Sequence, residues 1–499
     1  MQKILLPLTL LLFVYACADH RLDPAFNENP ATFSEIASID IGDVGAAEIS
    51  AYDPTTGRLF VVNNGTVNKI DILEVSTNSQ LKVIGNISMA PYGGAVNSLS
   101  IYNGKLAAAI ESSTKTDPGK VVVFSTIDQK ELKVIPVGAL PDMVTFSPDG
   151  RYILTANEGE PNDAYTIDPV GSVSIISVDD NYSVKTLDFS GFAPQQAALR
   201  AQGFRIFGLN ASFAQDIEPE YITVSEDSKT AWVTLQENNA IAKIDLTSKT
   251  ISTIFPLGFK NYNLDENAID VSDQDNAIAL KKWPAFGMYQ PDAIAVLESG
   301  GVPYLFTANE GDAREYTGFS EIRRVNHSSV VLDPAVFPNA ATLKTNTQMG
   351  RLNITTTLGN TDGDTEYEAI YSLGARSFSV WNGNTGSQVF DSKNELEVRS
   401  IAAGVYDDAR SDDKGVEPEG IAIGQVGTRK VAFVGMERAD AVAIYDVTNP
   451  TAPVFLQLLK TGDAPEGVLF VPANQSPLKK SLLIVSSEND GVIKIYRPQ

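Results

Sequence analysis

Acidic residues recur at two points of a phrase that repeats along the chain. In residues 141–159 an alternating apolar run opens at Asp142, turns at the Ser-Pro-Asp-Gly of residues 147–150 and returns through β-forming residues to Glu158. Related phrases start near residues 291 and 418, and weaker copies start near residues 48, 97, 220 and 466. Each copy predicts two antiparallel strands, with a polar residue where the first begins and where the second ends.

Those two positions are acidic except at Asn97 and Asn64. The strand starts are Glu48, Asn97, Asp142, Glu220, Asp292, Glu419 and Glu466, and the strand ends are Asn64, Glu111, Glu158, Glu237, Glu310, Glu437 and Glu488. Like charges gathered in one place raise one another's pKa values, and a bound cation relieves the repulsion. We predict a site for Ca²⁺, with Mg²⁺ as second choice, because both prefer oxygen ligands. Its predicted ligands are Asp142, Glu158, Glu220, Glu237, Asp292, Glu310, Glu419, Glu437, Glu466 and Glu488.

The alternative is that these carboxylates cap neighbouring backbone amides. Capping needs at most one acid per repeat, so the second acidic position favours a cation or polyol site. A separate acidic loop contains Asp270, Asp273 and Asp275. It lacks EF-hand spacing, because Asp275 stands where the turn glycine belongs, and we interpret it as a solvated loop.

Few residues suited to other catalytic chemistry are present. The chain has two histidines, His20 and His327, and one cysteine, Cys17, which excludes a multi-histidine metal site and an intrachain disulfide. No phosphate-binding glycine loop or dinucleotide fingerprint follows a strand. The enzyme hypothesis that survives is a Ca²⁺-dependent phosphoesterase in which Arg314 holds the phosphate. The alternative for Arg314 is a salt bridge to Glu315 or Asp312.

The charge balance argues against polyanionic partners. Lys and Arg number 38 against 62 Asp and Glu, a formal net charge of −24 at pH 7. Such a chain repels phosphate backbones and anionic lipid headgroups. We therefore expect no nucleic-acid partner.

The first residues are typical of an export signal. Lys3 precedes an apolar run over residues 4–14 that is too short to span a bilayer. The run ends in residues 14–17, Val-Tyr-Ala-Cys, which resemble a bacterial lipobox; the alternative is an ordinary signal with an incidental cysteine. We predict a signal peptide over residues 1–16 and a lipid-anchored polar tether over residues 17–31, with the lipid on Cys17 as the sole membrane contact of an exported protein.

Seven repeats must position the acids. Units of about 40–50 residues are typical of four-stranded propeller blades, which bury their faces only against one another. We predict an all-β chain, a seven-bladed β-propeller over residues 32–499 with insertions at about residues 186–215, 258–288 and 312–365. Two packed β-sandwiches are the alternative, but they give no reason for the phrase to recur. In a propeller both acidic positions reach one mouth of the central channel.

The last unit contains only three predicted strands. Residues 32–41 form an orphan strand with alternating character. Since an unpaired edge beside an incomplete blade is a liability, we predict that this strand is the outermost strand of the last blade and pairs with residues 492–496.

The repeated phrases together resemble the choice-of-anchor I family. The resemblance rests on residues 141–159, on Tyr-Gln-Pro-Asp-Ala-Ile-Ala at 289–295, on Glu-Gly-Asp-Ala-Arg-Glu at 310–315 and on Gly-Val-Glu-Pro-Glu-Gly-Ile-Ala at 415–422. It implies a surface protein, with relatives labelled mesenchyme-specific cell-surface glycoprotein or alkaline-phosphatase-like. We expect a monomeric, lipid-anchored propeller that binds a cation and a small-molecule, glycan or protein ligand at its acidic mouth.

Overall fold

The computed structural model describes residues 27–499, and nearly all of its regular structure is β-strand. The predicted signal peptide, Cys17 and the first part of the tether lie outside the described residues. Glu28 belongs to the predicted tether, yet it is buried, and its carboxylate accepts hydrogen bonds from the backbone and hydroxyl of Ser481. The described chain is thus fixed to the domain from Glu28 onward. No helix in this part of the chain has the length and apolar character needed to cross a membrane.

Seven four-stranded antiparallel sheets organise the described residues. Sheet 1 contains Ser50–Asp53, Arg58–Asn63, Lys69–Val75 and Leu81–Ser88; sheet 2, Val96–Tyr102, Lys105–Ile110, Pro118–Ser125 and Glu131–Ala139; sheet 3, Pro141–Phe146, Tyr152–Asn157, Ser172–Ser177 and Ser183–Asp188; sheet 4, Pro219–Val224, Thr230–Leu235, Ala240–Asp245 and Thr250–Pro256. Sheet 5 contains Ile294–Ser299, Val302–Asn309, Ser377–Asn382 and Gln388–Asp391; sheet 6, Pro418–Val426, Arg429–Met436, Ala441–Asp446 and Val454–Lys460; sheet 7, Pro465–Val471, Leu482–Ser487, Val492–Pro498 and Phe33–Asp40.

Sheet 7 combines the two ends of the described chain. Phe33–Asp40 pairs antiparallel with Val492–Pro498, from Phe33 opposite Pro498 to Asp40 opposite Val492. Phe33 is 2% exposed, and its ring meets the Phe433 ring edge-on at 5.4 Å between centroids. The strand is therefore held by packing as well as by backbone pairing.

Each sheet packs on the next through a hydrophobic cluster. The first strand of each sheet contacts the first strand of the following one, and that of sheet 7 contacts that of sheet 1. A separate buried cluster fills each of the seven junctions, including the one between sheets 7 and 1.

Gly150, in the turn of the repeated phrase, has a φ of +71°, and a side chain there would strike the Tyr102 ring of sheet 2. A glycine at this turn thus also allows sheets 2 and 3 to approach.

Two of the predicted insertions fold into one unit. Three short strands, Phe259–Asn261, Phe286–Met288 and Tyr371–Ser372, form a sheet that joins residues far apart in the chain. The remaining short strand pairs are Ile322–Arg324 with Asn353–Thr355, Val331–Leu332 with Glu366–Tyr367, and Glu315–Tyr316 with Phe319–Ser320. One core contains Tyr262 and Trp283 from the first insertion together with Val325 and Leu352 from the second. We call this the insertion unit.

The acidic side chains of the loop in the insertion unit are held by contacts within that unit. Asp270 is buried and accepts a hydrogen bond from the backbone of Ala279 at 2.6 Å. Asp273 pairs with Arg351 at 2.8 Å, and Asp275 pairs with Lys281 at 3.3 Å. Residues 276–278 are exposed, as a solvated loop requires, but the interpretation was wrong for the three carboxylates, because they cap and pair within the unit.

Helices are short and lie between strands. The α-helices are Gln196–Arg200, Ala340–Leu343 and Glu395–Ala403, and the 3₁₀ helices are Ser190–Gln195, Asp265–Asn267, Met349–Arg351, Asp408–Arg410 and Glu437–Ala439. The first of each lies in the predicted insertion at residues 186–215.

Candidate metal centre in an acidic cavity

The starts of the first strands converge on a cavity of about 340 Å³. The carboxyl side chains that line it are Asp142, Glu158, Glu220, Asp292, Glu310, Asp312, Glu419 and Glu466. Seven of these were predicted ligands, and Asp312 was not. Glu237, Glu437 and Glu488, also predicted, do not line the cavity.

A break in strand register aims several of these acids inward. In sheet 3, Pro141 pairs with Asn157 and Met143 with Ala156, so Asp142 has no partner of its own. The same irregularity falls at Asn97, Glu220, Glu419 and Glu466 in sheets 2, 4, 6 and 7. A bulge frees a residue from the ladder and turns its side chain, and bulges are over-represented beside active sites.

The backbone just before these acids is strained. Leu140, Gln290, Glu417 and Ala464 have φ values of +47°, +41°, +48° and +54°, and each precedes a proline and then a cavity acid. Residues other than glycine rarely adopt this conformation, and such strain collects at functional sites. Four repeats therefore maintain the same unfavourable geometry at the cavity rim.

The carboxylates form three close groups. Within each group one oxygen per residue lies within 4.8 Å of the others. Group A is Asp142, Glu158 and Glu220; group B is Asp292, Glu310 and Glu419; group C is Glu310, Glu417 and Glu437. Groups A and B belong to the cavity, and group C lies at its edge through the shared Glu310.

Group A has no protein counter-charge in contact with it. Among residues 27–499, no hydrogen-bond donor and no cationic side chain within ion-pair distance reaches these three carboxylates, although Glu220 is only 8% exposed. Burial and then the neighbouring carboxylates raise the pKa of Asp142 to about 6 and that of Glu220 well above its usual range. Capping of backbone amides does not account for group A.

Capping does occur at two of the other repeat positions. The Asn64 side chain donates to the Val96 carbonyl and accepts from the Val96 backbone, and Glu111 accepts from the backbone of Ala95. Asn64 also donates to Glu48, whose pKa is raised to about 8 by burial and by Glu488. Asn64 thus connects sheets 1 and 2, so the repeat position serves structure there.

Group C, and Glu310 of group B, contact cationic side chains. Lys414 Nζ lies 2.7 Å from Glu310 Oε1 and 3.2 Å from Glu417 Oε2. Arg410 pairs with Glu417 at 2.6 Å, and Arg438 pairs with Glu437 at 2.9 Å. Glu419 Oε2 of group B is nonetheless buried without a partner among the described residues. Sequence reasoning missed Lys414, for which no local pattern exists.

Arg314 lies outside the cavity and faces carboxylates. It is fully buried, pairs with Asp216 and lies 3.0 Å from Glu218, and its guanidinium stacks on Phe207 at 4.5 Å from the ring centroid. The alternative partners Glu315 and Asp312 were wrong, because Arg314 pairs with Asp216 and Glu218, which precede sheet 4. The Arg314 guanidinium is therefore not directed at a phosphate in the cavity.

Tyr221 lines both the acidic cavity and a second cavity of about 270 Å³. Ile49, Met143 and Val468 also line both cavities. The second cavity contains the hydroxyls of Ser50, Ser98 and Ser100 and no carboxylate. Tyr221 follows directly after a repeat acid, Glu220, so the repeat could have indicated that Tyr221 lies beside the acidic cavity.

Sequence comparisons identify a domain family and relatives of this chain. The model of the choice-of-anchor I domain matches residues 48–450. Gigasin-3a of Magallana gigas is 29% identical over 182 residues, which cover 30% of this chain and 64% of that protein. The mesenchyme-specific cell surface glycoprotein of Strongylocentrotus purpuratus is 26% identical over 294 residues, 50% of this chain and 38% of that protein. The chain thus spans less than two thirds of either relative.

The solved structures that match this chain have low sequence identity. Hydrazine synthase of Kuenenia stuttgartiensis has a TM-score of 0.49 at 12% identity, covering 91% of this chain and 96% of that one. The Cps50 (Swd1) β-propeller domain of Myceliophteria thermophila has a TM-score of 0.46 at 10% identity, covering 93% of this chain and 100% of that one. Because the domain model spans most of the sequence, this chain belongs to the choice-of-anchor I family.

Proposed function

We propose that this protein is an exported surface β-propeller that binds Ca²⁺ in its acidic cavity and uses the ion to hold a ligand. The observation that carries the proposal is group A, in which three carboxylates lie within 4.8 Å of one another without a donor or cation in contact. Buried charge of one sign is costly unless it is neutralised. A bound divalent cation meets that need.

The residues fit a hard cation. All the donors are carboxylate oxygens, the type that Ca²⁺ and, with stricter geometry, Mg²⁺ prefer. Ca²⁺ takes about six to eight oxygens, and three carboxylates supply about three to six of them. The remaining positions are open to water or to ligand hydroxyls.

The charge of the cavity favours a neutral polyol over a phosphate. Eight carboxyl groups line it, and one Ca²⁺ and Lys414 offset only three charges when the acids are ionised. An anionic ligand meets residual repulsion, whereas vicinal hydroxyls of a glycan can complete the coordination sphere without it. The phosphoesterase alternative also lacks its phosphate-holding group, since Arg314 is buried against its own carboxylates.

The proposal also covers the arrangement of the seven sheets and the attachment of the protein to a membrane. Seven sheets become the blades of one propeller, closed by Phe33–Asp40 in sheet 7; support comes from the clusters at all seven junctions and from the strand pairing. Surface location is supported by the family and by the cell-surface relative. The lipid on Cys17 is the proposed membrane anchor of the monomer.

Calorimetric titration of the full chain with Ca²⁺ tests the site. We expect binding that is abolished or weakened at least tenfold by Glu158→Gln, because the substitution removes a group A carboxylate. The matched control is Glu74→Gln, an exposed acid on sheet 1, which leaves binding unchanged. Equal affinities for the two variants, or no binding by the wild type, contradict the proposal.

A further inference from the structure

Groups A and B occupy similar positions in the cavity but differ in their surroundings. Both contain two strand-start acids and one strand-end acid, and both keep three carboxylate oxygens within 4.8 Å. Group A has no cationic side chain in contact, whereas Glu310 of group B receives Lys414 at 2.7 Å and a hydrogen bond from Gln236 at 3.0 Å. The two groups are therefore not equivalent as metal sites.

Lys414 lies on a segment that is fixed by hydrogen bonds to a buried arginine. Its side chain is 13% exposed, and it follows the 3₁₀ helix Asp408–Arg410. The backbone carbonyls of Ser411 and Asp413, on the segment that carries it, accept hydrogen bonds from the buried Arg376 guanidinium at 2.8 Å each. The ammonium group thus reaches Glu310 and Glu417 from a fixed segment rather than from a flexible loop.

We propose that Lys414 replaces a second cation, so that the acidic cavity binds one divalent ion, at group A, while group B is neutralised in part by a built-in positive charge. This inference rests on the proposed Ca²⁺ function and specifies its stoichiometry. A tethered ammonium is always present, whereas a free ion must displace it and lose water, so group B remains closed to Ca²⁺. Group C is closed in the same way by Lys414, Arg410 and Arg438.

Removing the ammonium opens group B. In Lys414→Met the carboxylates of Asp292, Glu310 and Glu419 lose their cation, and Glu419 Oε2 already lacks a partner. Ca²⁺ then has the same three-carboxylate arrangement that group A offers. The expected change is a doubling of the number of bound ions.

Equilibrium dialysis with Ca²⁺ on the full chain counts those ions. We expect one for the wild type, two for Lys414→Met and one for Lys414→Arg, which keeps the charge. The matched control is Lys115→Met, because Lys115 is 62% exposed and lies 3.9 Å from Glu160 beside group A; it keeps one ion. Two ions in the wild type, or one in a folded Lys414→Met variant, overturn the inference.

A second measurement needs no variant, in case Lys414→Met does not fold. Anomalous scattering from wild-type crystals soaked in Tb³⁺ should give a peak among Asp142, Glu158 and Glu220 and none beside Glu310. A peak beside Glu310 overturns the inference. If the wild type binds no ion while Lys414→Met binds one, Ca²⁺ binding at group A fails as a function and the role of Lys414 stands.

Discussion

Phe33→Ala should destabilise the whole domain although the residue lies in the first strand of the described chain. Phe33 is 2% exposed and packs with Val431 and Tyr496 at the junction of sheets 6 and 7. Truncating a buried phenylalanine costs about 3–5 kcal/mol, and the edge-on contact with Phe433 is part of what is lost. We expect the free energy of unfolding to fall by about 4 kcal/mol.

The matched control lies two residues away on the same strand. Glu35 has a side chain that is 44% exposed and pairs with Lys494 at 3.2 Å. Exposed pairs contribute about 0.2–1 kcal/mol, so Glu35→Ala should cost less than about 1 kcal/mol. Urea denaturation followed by tryptophan fluorescence measures both variants. If Phe33→Ala costs no more than Glu35→Ala, the strand does not close the ring.

Truncation tests the same joint with a larger change. Deleting residues 1–26 should leave the midpoint nearly unchanged, whereas deleting residues 1–41 removes the fourth strand of sheet 7 and exposes a sheet edge. The deletion should stop before Glu28, which is buried against Ser481. Equal midpoints for the two truncations also refute closure.

Three further outcomes concern the raised pKa values, the buried Arg314 and the proposed lipid anchor. In chelator, the contribution of Asp142 and Glu48 to stability should be complete below about pH 4, because their raised pKa values mean that the folded state prefers the protonated acids. That contribution should be lost as pH rises through about 6 for Asp142 and about 8 for Glu48, and Ca²⁺ should flatten the loss in a thermal-shift assay. Arg314→Met should lower the free energy of unfolding by about 3–5 kcal/mol in urea denaturation, because it leaves two buried carboxylates uncompensated. The number of bound Ca²⁺ ions should not change, and the loss of a bound ion would contradict a purely structural role for Arg314. Cys17→Ser should move the folded protein from the membrane fraction to the soluble fraction, and retention in the membrane contradicts the lipid anchor.

The repeated phrase carried most of the information about the cavity. Alternation and turn residues marked both strands of each repeat. The sequence alone therefore placed Asp142, at the start of the first strand, and Glu158, after the end of the second strand, at the same edge of sheet 3. The sequence could not separate acids that reach the cavity from those beside it. Glu237 occupies a repeat position yet does not line the cavity. It is buried near Glu218 and Arg314 instead.

Contacts between distant segments were beyond the reach of the sequence. Lys414 reaches Glu310 across 104 residues, and Arg314 reaches Asp216 across 98. Neither pairing follows from local periodicity, which reports only on neighbours along one strand or helix. The insertion unit is a similar case, since its two halves look like separate polar loops until Trp283 and Leu352 meet in one core.

The pairing of Phe33–Asp40 with Val492–Pro498 determines how the domain bears mechanical load. Phe33 lies opposite Pro498, so the two strands leave the sheet at the same end. A pulling force between residues 32 and 499 would open the hydrogen bonds one after another, as in a zipper, instead of shearing them together. A load applied between these two ends is therefore resisted by only one or two hydrogen bonds at a time, although the pair as a whole extends from Phe33 to Asp40.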